Sequence, residues 1–145
     1  MSGARMIRKV TSVLLIAVCC TQVGRESWSR EIKPGIPEAS AVRAILGEAG
    51  QSYEERLAIA FAIVNRGHLK GVYGRLEAPT ATQWQEGSRA WHTALNGLET
   101  DIVHGADHWL SDWDLKNAKP RLTAFRFKMK ETAYIGSTHF YKEVR

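Results

Sequence analysis

Apolar residues along the chain follow a helical period first and a strand period later. Val42, Ile45 and Leu46 fall on one face of a segment that begins at Pro37 and ends at Glu48. Proline suits a helix start, where its missing N–H would have had no intrahelical partner. Gly47 and Gly50 mark the end of this first predicted helix. A second helix is announced by Ser52 and Glu55, spaced as a capping box in which side chains satisfy two free backbone N–H groups. It runs to about Arg66, and every residue from Leu57 to Val64 is apolar. A helix apolar on all sides is buried on most of them, so this is the expected core helix. Residues 67–81, with Gly67, Gly71, Gly74 and Pro79, are expected to form a loop. A third helix is predicted over about Glu86–Asn96, with Ala90, Trp91, Ala94 and Leu95 as its stripe and Gly97 just past its end. After the mixed segment from Asp101 to Trp113, with a short strand at Ala106–Leu110, the period changes to two. Phe125, Phe127 and Met129 alternate with Arg126, Lys128 and Lys130, which predicts a half-buried strand with a basic outer face. Tyr134–Tyr141 is the expected partner strand. The predicted class is α+β, a helical core with a small antiparallel sheet near the C-terminus.

With 44% hydrophobic and 24% charged residues in 145, the chain can build one core. A long disordered protein and a coiled coil are both excluded.

The net charge of +5 looks basic until it is located. Arg5, Arg8 and Lys9 stand in the first twenty residues with no acid, so residues 21–145 carry only +2. A body so weakly charged gives no reason to expect nucleic acid as a partner. The first twenty residues instead have the three parts of an export signal. Met1–Lys9 is basic, Val10–Cys20 is apolar, and the small residues Ala17 and Cys19 are spaced for signal peptidase. Eleven residues are too few for a membrane span, which takes about 20. Residues 21–36 are then a polar linker, the domain runs over 37–145, and the protein is expected to be exported. A membrane would be met only through an uncleaved or lipidated N-terminus at Cys19–Cys20. Both cysteines lie there, so the mature body has neither an internal disulfide nor a cysteine zinc site. A monomer is expected.

Glu48 is the residue most open to a chemical role. It ends an apolar helix, where the helix dipole disfavours a carboxylate, and it faces the all-apolar second helix, where desolvation does the same. Both effects favour the protonated form that a general acid requires. The bland alternative is a solvated glutamate at a helix end. Asn65 and Arg66 close the core helix, either to orient a loop or to cap carbonyls. His104 and His108 are four apart, but Gly105 between them and the expected strand argue against a metal site. No serine-nucleophile, phosphate-loop or dinucleotide motif is present, and nothing pairs His139 with a nucleophile. Trp28, Trp84, Trp91, Trp109 and Trp113 are many for this length. Aromatic rings stack on sugar faces, so an exposed subset would suit a glycan groove, with core packing as the alternative.

These pieces have an order. Ala44-Ile45-Leu46-Gly47-Glu48-Ala49-Gly50 is followed by Ile63-Val64-Asn65-Arg66, then Gly105-Ala106-Asp107-His108-Trp109, then Ile135-Gly136-Ser137-Thr138-His139-Phe140-Tyr141. Over about residues 38–142 this resembles the SleB-type cell wall hydrolases, the spore-cortex-lytic family. The resemblance implies a lysozyme-like fold and a peptidoglycan glycan strand as substrate. It implies Glu48 as the single catalytic acid, with no metal and no cofactor. Glu48 would protonate the oxygen joining N-acetylmuramic acid to N-acetylglucosamine. It would then take the proton of the muramic C6 hydroxyl as a 1,6-anhydro ring closes, which makes the enzyme a lytic transglycosylase. By the same resemblance Trp109, His139 and Tyr141 would contact substrate. Two stretches depart from the family pattern: Pro120 is followed by Arg121 and Leu122, and Gln83-Trp84 stands where a phenylalanine is usual. From another class, the chain would be a non-catalytic peptidoglycan-binding or phage structural module, in which aromatic and basic residues matter and Glu48 does not.

Overall fold

The computed structural model describes residues 35–117, Phe125 and 128–144. The expected signal at 1–20, most of the linker, Trp28, Arg126 and Phe127 lie outside them. The described residues form an α+β structure of four helices and one three-stranded antiparallel sheet.

Helix α1 spans Glu38–Glu48 and α2 spans Tyr53–Arg66. Every side chain of α2 from Leu57 to Ile63 is buried, so the all-apolar run is the centre of the core as its pattern required. Gly67 closes α2 in the left-handed conformation and donates its N–H to Ile63, the usual glycine ending of a helix. Helix α3 spans Ala81–Leu95 and packs on α1 and α2. Gly87 makes the α1 contact close, because a Cβ there would stand 3.0 Å from Val42 Cγ1. Two polar ties fasten the bundle. Arg56 of α2 pairs with Glu86 of α3, and the Glu38 carboxylate of α1 accepts from Ser88 Oγ and His92 Nε2 of α3. The Ser88 hydrogen bond in particular holds the Glu38 carboxyl below its ordinary value.

Helix α3 begins five residues earlier than its apolar stripe predicts. Thr80 and Gln83 form a complete capping box, and this sets the start ahead of the first buried residue. At α2 the opposite happens. Ser52 Oγ does accept from the Glu55 N–H, but the Glu55 side chain does not return the bond. It turns away to another element, so only half of the predicted box exists.

The sheet is built from β1 at His108–Ser111, β2 at Met129–Ile135 and β3 at Thr138–Glu143, in the order β1-β3-β2. A short helix, α4 at Asp112–Asn117, follows β1. It starts on a Ser111–Asp114 box, in which Ser111 donates to Asp114 Oδ2 and accepts from the Asp114 N–H.

Two strand expectations need correction. Of the predicted strand at Phe125–Lys130, Met129 and Lys130 are in a strand, Phe125 and Lys128 are helical instead, and Arg126 and Phe127 lie outside the described residues. The predicted single strand Tyr134–Tyr141 is two strands. Ile135 pairs with Thr138 across the two-residue turn Gly136-Ser137. Gly136 takes a positive φ of 62°, the first central residue of a tight hairpin turn. Among the described residues no helix is long and apolar enough to cross a membrane.

Candidate active site

Helix α1 ends on Glu48 because the next residue, Ala49, leaves the helix in extended conformation. The half-buried Glu48 carboxylate then meets two donors from distant parts of the chain. The Gly74 N–H donates to Oε1 at 2.5 Å, and Trp109 Nε1–H donates to Oε2 at 3.0 Å. One oxygen is thus held by the segment after α2 and the other by the sheet.

The first donor depends on two glycines that touch. Residues 72–76 cross the end of α1, with Val72 buried and the Leu76 N–H donating to Arg43 O at 3.0 Å. A Cβ on Gly47 would collide with the backbone of Gly74 and Arg75, and a Cβ on Gly74 would stand 2.7 Å from both Glu48 Oε1 and Gly47 O. The backbone reaches the carboxylate only because neither residue has a side chain.

The second donor is set by strand register. Trp109 of β1 pairs with Phe140 of β3, and directly opposed residues share a sheet face. Phe140 is fully buried against the helices, so Trp109 is on the helix-facing side, with the Arg66 guanidinium 5.8 Å from its ring centre. Arg66 is fixed in turn by donating to Lys70 O at 2.7 Å. Its neighbour Asn65 orients the loop that leads into β1. Asn65 Nδ2 donates to Asp101 Oδ2 and Ala106 O, both at 3.0 Å, while Asp101 also accepts from the N–H groups of Val103 and Gly105. Of the two expected roles of this pair, loop orientation is present at Asn65, whereas the carbonyl that Arg66 contacts belongs to the loop after α2 and not to the helix end.

The three residues expected to flank Glu48 do not converge. Alternate side chains of a strand point to opposite faces, so His139 and Tyr141 lie on the face away from Trp109. There His139 is held between Asp112 Oδ1 at 2.8 Å and Glu131 Oε2 at 3.2 Å, and it stacks on Tyr134 at 4.2 Å between ring centres. Tyr134 O–H donates to Asp112 Oδ2. The His139 bond, and after it the Tyr134 bond, hold the Asp112 carboxyl below its ordinary value, and the same carboxylate pushes the Tyr134 phenol up. Tyr141 packs edge-on against Phe125 at 5.0 Å.

The tryptophans divide as well. Trp91 is buried, Trp84 packs against the core, and Trp113 is 69% exposed on α4. His108 Nδ1 lies 2.7 Å from Asp107, whereas His104 is exposed in a left-handed turn. Among the described residues no group of three His, Cys, Asp or Glu side chains could hold a metal ion.

Sequence reasoning missed one partner of the site and the placement of one other carboxylate. Gly74 acts through its backbone, which no side-chain pattern reports, although its glycine-rich loop was visible. Tyr73, next to it, is 89% exposed. Glu55 is only 4% exposed, and its Oε1 accepts from the Ser137 N–H, Ser137 Oγ and Thr138 Oγ1 of the hairpin turn.

Chemically, Glu48 is a half-buried carboxyl group with each oxygen held by one N–H donor. Its two partners are N–H donors and leave a second acceptor position on each oxygen. Such a group can give a proton to, or take one from, a molecule bound against it. Comparison with protein-family models, with curated proteins and with solved structures finds no match to this chain.

Proposed function

We propose that this protein is an exported enzyme that cleaves the glycan strand of peptidoglycan, with Glu48 as its acid and base. The observation that carries this reading is the Glu48 carboxylate itself: half-buried at a helix end and oriented by Gly74 N–H and Trp109 Nε1–H, where the helices meet the sheet. The motif order from Gly47-Glu48-Ala49 to Phe140-Tyr141 gives the substrate class by its resemblance to SleB-type cell wall hydrolases. The arrangement of a helix-end acid beside a small sheet is the one a lysozyme-like fold would use.

The reaction runs in two proton transfers. Protonated Glu48 gives its proton to the glycosidic oxygen as the bond to muramic C1 breaks, and N-acetylglucosamine leaves as the alcohol. The Glu48 carboxylate then takes the proton of the muramic C6 hydroxyl while that oxygen bonds to C1. Glu48 ends protonated, as it began, and the product carries a 1,6-anhydro ring. The nucleophile belongs to the substrate, so this scheme asks for no second carboxylate, unlike the paired-carboxylate hydrolases. Glu55 accordingly has no part in it; its acceptor oxygen is committed to the hairpin turn.

The test is to incubate the purified protein and Glu48→Gln with insoluble peptidoglycan and weigh the released fragments by mass spectrometry. Anhydro-muropeptides from the wild type and none from the folded variant are expected. Reducing muramic ends would replace the transglycosylase step by hydrolysis. No fragments from the wild type, with the protein still sedimenting with the wall, would make it a binding module.

A further inference from the structure

We infer that Arg66 is a positioning residue of the Glu48 site: its guanidinium braces both of the segments whose N–H groups hold the carboxylate. The catalytic consequence rests on the glycan reading above; the brace itself does not.

Helix α2 ends at Arg66, and Gly67 turns the chain at once in the left-handed conformation. The residues that follow fold back against the Arg66 side chain. Nη2 donates to Lys70 O at 2.7 Å, and a Cβ on Gly71 would stand 3.0 Å from the same nitrogen. The Val72 N–H closes this turn on Leu69 O at 3.1 Å. Two residues further on, the Gly74 N–H meets Glu48 Oε1. Arg66 thus fixes the turn from which the Gly74 segment sets out.

The same guanidinium lies over the Trp109 ring, 5.8 Å from its centre, and the Nε1–H of that ring holds Glu48 Oε2. A planar cation attracted to the face of an indole restrains the ring. Each oxygen of Glu48 has a donor from a different segment, and one side chain touches both segments. A proton transfer needs the carboxyl group held within a narrow range of positions, and this brace acts on both oxygens at once.

The surroundings of Arg66 argue for the same role. Its Nε–H is buried with no acceptor among the described residues. A buried donor left unpaired destabilises a fold, and an apolar side chain of similar length would fill the place without that penalty. Orientation of two donors is what the arginine adds.

The experiment compares the full chain with Arg66→Met and Arg66→Lys by amide and indole hydrogen exchange in NMR, without substrate. In Arg66→Met the Gly74 N–H and the Trp109 Nε1–H are both expected to exchange at least about tenfold faster, while core amides of residues 59–63 keep their rates. Equal acceleration at those core amides would mean lost fold stability and overturns the inference. An unchanged rate at either donor overturns it as well. Arg66→Lys keeps a donor for Lys70 O but not the planar face over the indole, so it should restore Gly74 more fully than Trp109. The opposite order refutes the assignment of the two contacts. On soluble glycan oligomers Arg66→Met is expected to lower kcat about tenfold, with KM changed less than about twofold. Wild-type kcat in a variant with both donors loosened overturns the catalytic consequence. If the wild type cuts nothing, the exchange rates still decide whether the brace exists, so failure of the enzymatic reading and failure of this inference are seen separately.

Discussion

Two glutamates seven positions apart flank the turn between α1 and α2, and they are held in opposite ways. Glu48 divides its donors: one oxygen for the loop at Gly74, the other for the indole of Trp109. Glu55 gathers three donors on one oxygen, all from the hairpin turn at Ser137 and Thr138. It is buried, with Gly50 and Gly136 close against its carboxylate, whereas Glu48 is partly exposed. Burial and donor count thus distinguish a carboxylate that fastens two elements from one that can still meet a ligand. Their positions in the sequence already set them apart, Glu48 at the end of one helix and Glu55 in the first turn of the next.

The sharpest test of that contrast is Glu48→Gln, expected to lower cleavage by at least about a hundredfold, the usual contribution of a positioned acid. The protein should still fold, as monitored by circular dichroism. Next is Gly47→Ala. In a free helix alanine would be favoured over glycine by about 1 kcal/mol. Here the added methyl meets the backbone of Gly74 and Arg75, so a loss of about 1–3 kcal/mol is expected in urea unfolding. Removing the other carboxylate, in Glu55→Ala, leaves Thr138 Oγ1 and the Ser137 N–H without their acceptor. It should cost about 1–3 kcal/mol of stability while cleavage per folded molecule is kept. A loss of activity without a loss of stability would erase the distinction between the two glutamates. Trp109→Phe removes one donor from Glu48 and keeps an aromatic ring; a fall in kcat of about tenfold, with KM little changed, is expected from steady-state kinetics.

The smallest effect concerns the far face of the sheet. Asp112 is held below its ordinary value by His139 first and Tyr134 second. A carboxyl lowered on folding adds stability above its unfolded value, about 3.9, and that stability is lost as pH falls through the folded value. Replacing His139 by Ala should raise the Asp112 midpoint back toward the unfolded one in a carbon-detected NMR titration, with little effect on cleavage. A large fall in cleavage would instead tie that face to Glu48.

The helical half of the fold was legible in the chain because apolar runs and end signals agree there: the all-apolar α2 with Ser52 before it and Gly67 after it left little choice. The sheet was less legible. Gly136-Ser137 is a two-residue turn hidden inside a β-rich run, so one predicted strand became two. The end of Glu48 in a helix could be read, but its donors could not. Gly74 contributes a backbone group, and Trp109 reaches Glu48 only through the β1–β3 register, which pairing with Phe140 determines. That same register is why His139 and Tyr141, adjacent to Phe140 in sequence, are on the other face.

The strand order β1-β3-β2 has a consequence for the way the molecule is made on the ribosome. Helices α1 and α2 emerge early and can pack against each other while the rest of the chain is still being synthesised. The strand bearing Trp109 emerges before β2, yet its sheet neighbour among the described residues is β3, which comes last of the three. Until Phe140 has been added, the indole has no ladder to place it, and Glu48 lacks the second of its two donors. The carboxylate is thus formed early and oriented late, so a nascent chain carries the acid before it carries the means to aim it.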